Sequence, residues 1–452
     1  MDLVELLRLP EGKTLEFKRD LTSVDGVLRT AVAFANTAGG KLLIGVEDGT
    51  RHVRGVSDPL ALEERLANLL SDGIAPRLVP DIEILPWRRT NVLAVQIHPS
   101  PGRPHYLKST GAEAGVYVRV GSTNRRADES IVAELRRAAL GQSFDEQPIP
   151  ELDSEAIDFR AASESFAPVR KIKSSDLGTL RLLTTHQGRK VPTVGGMLLF
   201  GRNREEHFPD AWIQAGRFAG ADKTRIADSV AIHEPLPQAI EVAIGFLKKH
   251  DLRRVEIGPV RRKESWGLPP VAVREAVINA VVHADYGQRG APIRLSYFDD
   301  RLEVENPGLL PSGLTVEDLR RGVSKLRNRV IGRVFHELGL IEQWGSGIQR
   351  MSTACRDAGL PAPLLEEIGT HFRVTLRTTR VKEPSLEETD QAIVSALAEG
   401  RGLSTNEIAA RIRRTPRATR TRLLGLIERG LVREVGTSPQ DPKRRYFLAS
   451  PG

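Results

Sequence analysis

Apolar and polar positions keep a clear period between Val271 and Gly308. Val273, Ala276, Val277, Ala280 and Val281 recur at steps of three and four, which gathers them into one stripe of a helix. Pro269 and Pro270 suit its start and Gly287 its end. The period then shortens to two. Residues 293–297 and 302–305 predict antiparallel strands around an Asp299-Asp300 turn, followed by a tight Asn306-Pro307-Gly308 turn. On the helix, Glu275, Asn279 and His283 lie four apart and stack along one face.

The same reading divides the rest of the chain. Residues 1–140 alternate as an α+β region. Helices are expected at 3–9, 24–37, 60–70 and 128–140, the last capped by Asp128, with strands at 14–18, 41–46, 78–85, 91–97 and 115–120. Residues 141–155 are polar with two prolines and read as a linker. Residues 195–200 read as a buried strand, 211–218 as another, and 236–248 as an amphipathic helix. Helices at 316–322, 329–338 and 348–358 and a strand at 372–377 close the second region. A charged linker, 381–388, leads to a small terminal unit. There a helix at 390–399 precedes the capping box Ser404-Thr405-Asn406-Glu407, which opens a helix to 412. Thr415-Pro416 opens a further helix that Gly430 stops. Strands at 431–435 and 445–448 flank a loop at 436–443.

Composition sharpens this picture. The 452 residues suggest two to four domains, and 40% hydrophobic residues suffice for real cores. A net charge of +8 favours an anionic partner such as nucleic acid. The single cysteine, Cys355, excludes an internal disulfide and a cysteine-rich zinc site, and suits a reducing cytoplasm. No apolar run is long enough to predict a membrane span, and the N-terminus lacks a secretory pattern. The excess of Arg over Lys suggests a bacterial, GC-rich source.

Chemistry concentrates around the central helix. Asn279 could offer Mg²⁺ a hard oxygen, with phosphates supplying the rest of its shell. Glu275, one turn away, could orient or deprotonate a water, and Asn306 could hydrogen-bond a base edge. Gly345 and Gly347 stand where a helix begins, so backbone N–H groups there suit phosphate. His283 is expected to pair with Asp285 or Tyr286. REAVINAVVHADY followed by RLEVENPGLLPSG resembles the divergent GHKL-type ATPase domain named after the C-terminal part of putative RecG helicases, over roughly 165–377. The resemblance implies an α/β sandwich, ATP with Mg²⁺, Glu275 as catalytic base, Asn279 as metal ligand, and Gly345 and Gly347 beside the phosphates. In place of the usual D-x-G-x-G box stands Asn306-Pro307-Gly308-Leu309-Leu310, which puts hydrolysis in more question than binding. Arg327, Asn328 and Arg329 read either as part of a nucleotide lid or as a solvated basic loop.

The flanking regions carry their own constellations. EGKTLEFK, AFANTAGGKLLIGVED and YVRVGSTNRRA resemble the Schlafen/AlbA-type nucleic-acid-binding domain over 8–140. In Schlafen nucleases an acidic cluster holds a metal, and Glu11, Glu16 and Asp48 match it. The alternative makes Glu16 and Lys18 a structural ion pair and Asp48 a turn residue. Lys18, Arg119, Arg125 and Arg126 are the candidate phosphate contacts. The terminal unit resembles a winged helix-turn-helix whose second paired helix would present Arg417, Arg420 and Arg422 to DNA, with Lys443 and Arg444 on the wing. The expected organisation is therefore 1–140 Schlafen/AlbA-type, 157–379 GHKL-like and 388–450 winged helix. It implies an ATP-binding transcriptional regulator acting on DNA or RNA, with a second copy of itself as a further partner in a homo-oligomer. Two alternatives stay open: a metal-dependent ribonuclease under ATP control, and an assembly protein that uses a degenerate ATPase fold as a dimer interface.

Overall fold

A computed structural model of the chain describes residues 3–251, 254–257, 262–265, 267–342, 345–378, 387–398, 402–428, 431–435 and 444–448. Helices and several sheets mix, as the α+β class requires. The chain divides into two compact units, Met1–Arg380 and Val381–Gly452.

The first unit opens on a four-stranded sheet in the order Leu15–Lys18, Gly40–Ile44, Thr90–Ile97, Asp81–Trp87. The first pair is parallel, so it needs a crossover, and helix Val24–Asn36 supplies it. Val27, Ala31 and Phe34 of that helix pack on Leu42, Ile44, Leu93 and Val95, while Phe17, Leu43 and Val92 face the short helix Leu3–Arg8. Gly40 lets the helix lie this close, because a Cβ there would stand 2.8 Å from the Phe34 ring. Strands Tyr117–Val120 and Thr123–Arg126 form a hairpin beside it, followed by helix Glu129–Ala139, whose Asp128 cap accepts from Ile131 N at 2.9 Å.

A six-stranded sheet follows, ordered Ile226–Ile232, Ile213–Phe218, Ile293–Tyr297, Arg301–Pro307, His371–Arg377, Leu364–Ile368. The period of two sorts its faces. Leu295, Tyr297, Leu302, Val304, Val374 and Leu376 enter a core shared with helices Leu236–His250, Pro270–His283, Arg329–Glu337 and Gly347–Asp357. The alternate positions carry an ion-pair ladder: Arg373 donates to Glu305 at 2.7 Å and Arg301 to Glu303 at 2.7 Å. Asn306 shares the parity of Leu302 and Val304, so it points toward the helices.

Four expectations are corrected here. Residues 195–200 are not a strand but part of the buried helix Val194–Phe200, capped by Thr193, whose Oγ1 accepts from Gly196 N at 2.9 Å. An unbroken apolar run has no period to separate helix from strand. The central helix ends at His283, short of Gly287, because the fully buried Asn328 donates to Val282 O at 2.9 Å and Ala284 O at 2.8 Å and closes its C-terminus. Asn328 is therefore neither lid nor solvated loop. Residues 141–155 do not form a free linker. Asp145 is fully buried there and accepts from Arg329 N at 3.0 Å, Val330 N at 2.7 Å and Ile331 N at 2.9 Å, capping helix Arg329–Glu337. Burial outweighs these bonds and pushes its carboxyl up to about 6. Strand Leu364–Ile368 and the hairpin of Leu183–His186 with Arg189–Pro192 had no counterpart in the sequence reading.

The second unit has helices Glu388–Leu397, Thr405–Arg411 and Pro416–Glu428, then antiparallel strands Val432–Val435 and Arg445–Leu448. Ile393, Leu397, Ile408, Leu423, Leu426, Val432 and Tyr446 form its core. The expected capping box is present: Ser404 N donates to Glu407 Oε2 at 2.7 Å and Glu407 N to Ser404 Oγ at 3.3 Å. The expectations placed on 381–386, Gly430 and the 436–443 loop with Lys443 lie outside the described residues.

Candidate functional site

A cleft of about 850 Å³ opens between the central helix, the end of strand Arg301–Pro307, and the start of helix Gly347–Asp357. Glu275, Asn279 and His283 line one wall, and Asn306, Gly308, Gly345 and Gly347 also belong to its lining. The structure thus brings together residues from three stretches separated by as much as 72 positions along the chain.

Each glycine there has a geometric reason. Gly308 (φ +104°) and Gly345 (φ +65°) hold backbone conformations that side chains disfavour. A Cβ on Gly347 would lie 2.6 Å from Glu275 Oε2 and 3.4 Å from Asn279 Nδ2, so its absence lets the helix start come directly against both. Asn306 is buried and spends its amide nitrogen on Pro307 O at 3.0 Å, which leaves the amide oxygen as an acceptor.

Glu275 is 6% exposed, and Arg350 Nη2 donates to it at 2.8 Å. Arg350 also meets Glu342 at 2.5 Å. Burial pushes the Glu275 carboxyl above its ordinary range, against the pull of Arg350 and Arg274. Arg350 was missed in the sequence; its place three residues after Gly347, one helical turn on, was the available signal. The expected anchoring of His283 is corrected: Tyr286 donates to Val281 O at 2.9 Å, and Asp285 accepts from Gly287 N at 3.1 Å and Gln288 Nε2 at 3.3 Å. Burial, with Arg327 nearby, instead pushes the His283 imidazole down to about 4.

The N-terminal acidic residues Glu11, Glu16 and Asp48 are neighbours. Glu16 is held between Lys18 and Arg119. Glu11 accepts from Phe17 N at 2.7 Å, and its carboxyl is raised by burial and by its neighbours Asp48 and Glu16. Among the described residues no group of three or more His, Cys, Asp or Glu side chains could hold a metal ion. Arg119 is corrected as a phosphate contact: it is fully buried, with Nε donating to Gly12 O at 3.0 Å, Nη1 to Asn124 Oδ1 at 2.8 Å, and its guanidinium over the Phe34 ring. Arg125 and Arg126 are exposed and Lys18 is half-buried.

In the second unit Arg417 and Arg420 are exposed on helix Pro416–Glu428. Arg422 is half-exposed and paired with Glu387 and with Asp390 at 2.9 Å, so it fastens that helix to the first one. Arg444 is buried and pairs with Glu434 at 3.0 Å. Arg444 is therefore not presented as a DNA contact, whereas Arg422 keeps part of its surface exposed while engaged with carboxylates.

Comparison with known families falls on two of these regions. Residues 11–128 match the family described as Schlafen, AlbA_2. Residues 290–376 match the family described as putative ATP-dependent DNA helicase recG C-terminal. The second match is shorter than the resemblance read from the sequence, and Glu275 and Asn279 lie upstream of it. Among solved structures, the chain is similar to the DIP2311 protein from Corynebacterium diphtheriae, at 19% identity over 96% of this chain and 95% of that one, with a TM-score of 0.48. It is also similar to the N-terminal domain of a putative ATP-dependent DNA helicase RecG-related protein from Nitrosomonas europaea, at 28% identity over 28% of this chain and 90% of that one, with a TM-score of 0.23. No curated protein matches the chain. No helix among the described residues is long and apolar enough to cross a membrane.

Proposed function

We propose that the chain is a nucleic-acid-binding regulator that takes ATP in the cleft. One observation carries this reading: Glu275, Asn279, Asn306, Gly308, Gly345 and Gly347 line a single cavity whose volume suits a nucleotide. The residues fit that ligand. Asn306 offers an acceptor to an exocyclic amine of the base. The glycines leave backbone N–H groups and space for phosphates. Asn279 would hold Mg²⁺, which supplies positive charge beside the phosphates. Glu275 is engaged with Arg350, so binding rather than turnover is the activity proposed. The recG C-terminal match supports the ATPase-like reading of the cleft.

The Schlafen, AlbA_2 match supports nucleic-acid binding by the N-terminal region, with Arg125 and Arg126 on an exposed strand. We read the second unit as a winged helix that offers Arg417 and Arg420 to DNA. Calorimetry with a non-hydrolysable ATP analogue and Mg²⁺ tests the core of the proposal. Wild type should bind, and Asn279→Ala should bind roughly tenfold or more weakly, the scale of one hydrogen bond to a charged group. No binding by the wild type overturns it.

A further inference from the structure

The two oxygens of the Glu275 carboxylate face different neighbours. Oε1 accepts from Arg350 Nη2 at 2.8 Å. Oε2 faces the start of helix Gly347–Asp357, where a Cβ on Gly347 would stand 2.6 Å from it and 3.4 Å from Asn279 Nδ2. Arg350 sits one turn into that helix. Glu275, Asn279, Gly347 and Arg350 therefore converge at one place, and all four belong to the lining of the cleft.

Arg350 is held there by two carboxylates in unequal surroundings. Its Nη1 meets the exposed Glu342 at 2.5 Å, and its Nη2 the buried Glu275. Its Nε is enclosed and has no hydrogen-bond partner among the described residues. The side chain as a whole is only half-buried, so the guanidinium is not sealed from the cavity that it lines. Glu275 also has a second cation: Arg274 Nη1 lies 3.9 Å from the same Oε1, and Arg274 is anchored through Nη2 to Leu340 O at 3.1 Å. Breaking a buried ion pair costs most where it strands a charge. Here Arg274 would remain beside Glu275 if Arg350 moved.

We propose that Arg350 is the contact for the terminal phosphate of a nucleoside triphosphate, and that Glu275 holds it until that phosphate arrives. The inference rests on the nucleotide reading of the cleft. A guanidinium fork takes carboxylate and phosphate oxygens in the same bidentate manner, so Arg350 can exchange one for the other. Glu275 and the nucleotide then compete for a single guanidinium, and only a triphosphate carries the group that wins. The pair thereby favours triphosphate over diphosphate.

Calorimetry on the full chain with a non-hydrolysable ATP analogue and with ADP, each with Mg²⁺, tests this. Arg350→Gln should cut the preference for the analogue over ADP by about tenfold, the scale of a hydrogen bond between charged groups. Arg350→Lys should recover part of it, since lysine keeps the charge but not the fork. Glu275→Gln keeps the side chain's shape and gives up the competition, so it should bind the analogue about fivefold more tightly than wild type. The double variant should lose that gain, because the arginine it would release is gone. It also leaves no carboxylate short of a partner, so the same loss of preference there separates the effect from a folding defect in Arg350→Gln. An unchanged preference in Arg350→Gln overturns the phosphate contact. A gain that persists in the double variant is simple relief of charge repulsion and overturns the competition. If the wild type binds neither nucleotide, the reading of the cleft falls first and this inference with it; binding with unchanged preferences sinks the inference alone.

Discussion

His283 stands in the wall of the cleft with its imidazole pushed down to about 4, so it is neutral at pH 7. Its folded value lies below the ordinary 6.5. The group therefore favours the folded chain above pH 6.5, and that contribution is lost as pH falls toward 4. The shift sets an upper bound of about 3 kcal/mol. Asp145, with its carboxyl raised to about 6, works in the opposite direction: its contribution is complete below 3.8 and is lost as pH rises through 6. A comparison of wild type with His283→Gln isolates the histidine. Denaturant titrations between pH 7 and 5 should show the wild type losing more stability than the variant; parallel losses would disprove the assignment. At this scale the sequence was informative where spacing carried the message, since the four-residue steps placed Glu275, Asn279 and His283 on one wall. It was uninformative about arginine. Arg119, Arg422 and Arg444 look no different in sequence from Arg125 or Arg417, because their carboxylate and carbonyl partners come from elsewhere in the chain.

Segment 308–328 is the element that joins the cleft to the N-terminal region. Its Ser312 holds Asn36 and Thr37, and the Thr37 hydroxyl accepts from Arg119 N at 2.9 Å in strand Tyr117–Val120. That strand pairs with the one bearing Arg125 and Arg126. Occupancy of the cleft and affinity for nucleic acid should therefore be coupled, and reciprocally so. ATP is expected to change oligonucleotide affinity by about fivefold or more. Ser312→Ala should bring that factor toward one while ATP binding persists. Equal coupling in both proteins would refute the link. Elements with a strong period, such as the central helix and the hairpin after it, were legible in advance. Val194–Phe200 was not, because it is apolar on every side, and Leu364–Ile368 was not, because edge pairing with His371–Arg377 defines it more than its own pattern does.

The whole molecule has two units, each with its own hydrophobic core. The second is small, and domains of about 60 residues bury only about 60% of their unfolded surface, so its stability is modest. Scanning calorimetry should resolve two transitions, and removing 381–452 should leave the larger one within about 2 °C. A single transition, or a large shift on truncation, would show that the units unfold together. The burial of Asp145 also has a practical side. Polarity alone draws a boundary at 141–155, yet that boundary runs through the interior of the cleft-bearing region. A gene fragment begun at residue 157 would strip helix Arg329–Glu337 of the carboxylate that receives three of its N–H groups, and the pocket would be lost together with the scaffold behind it.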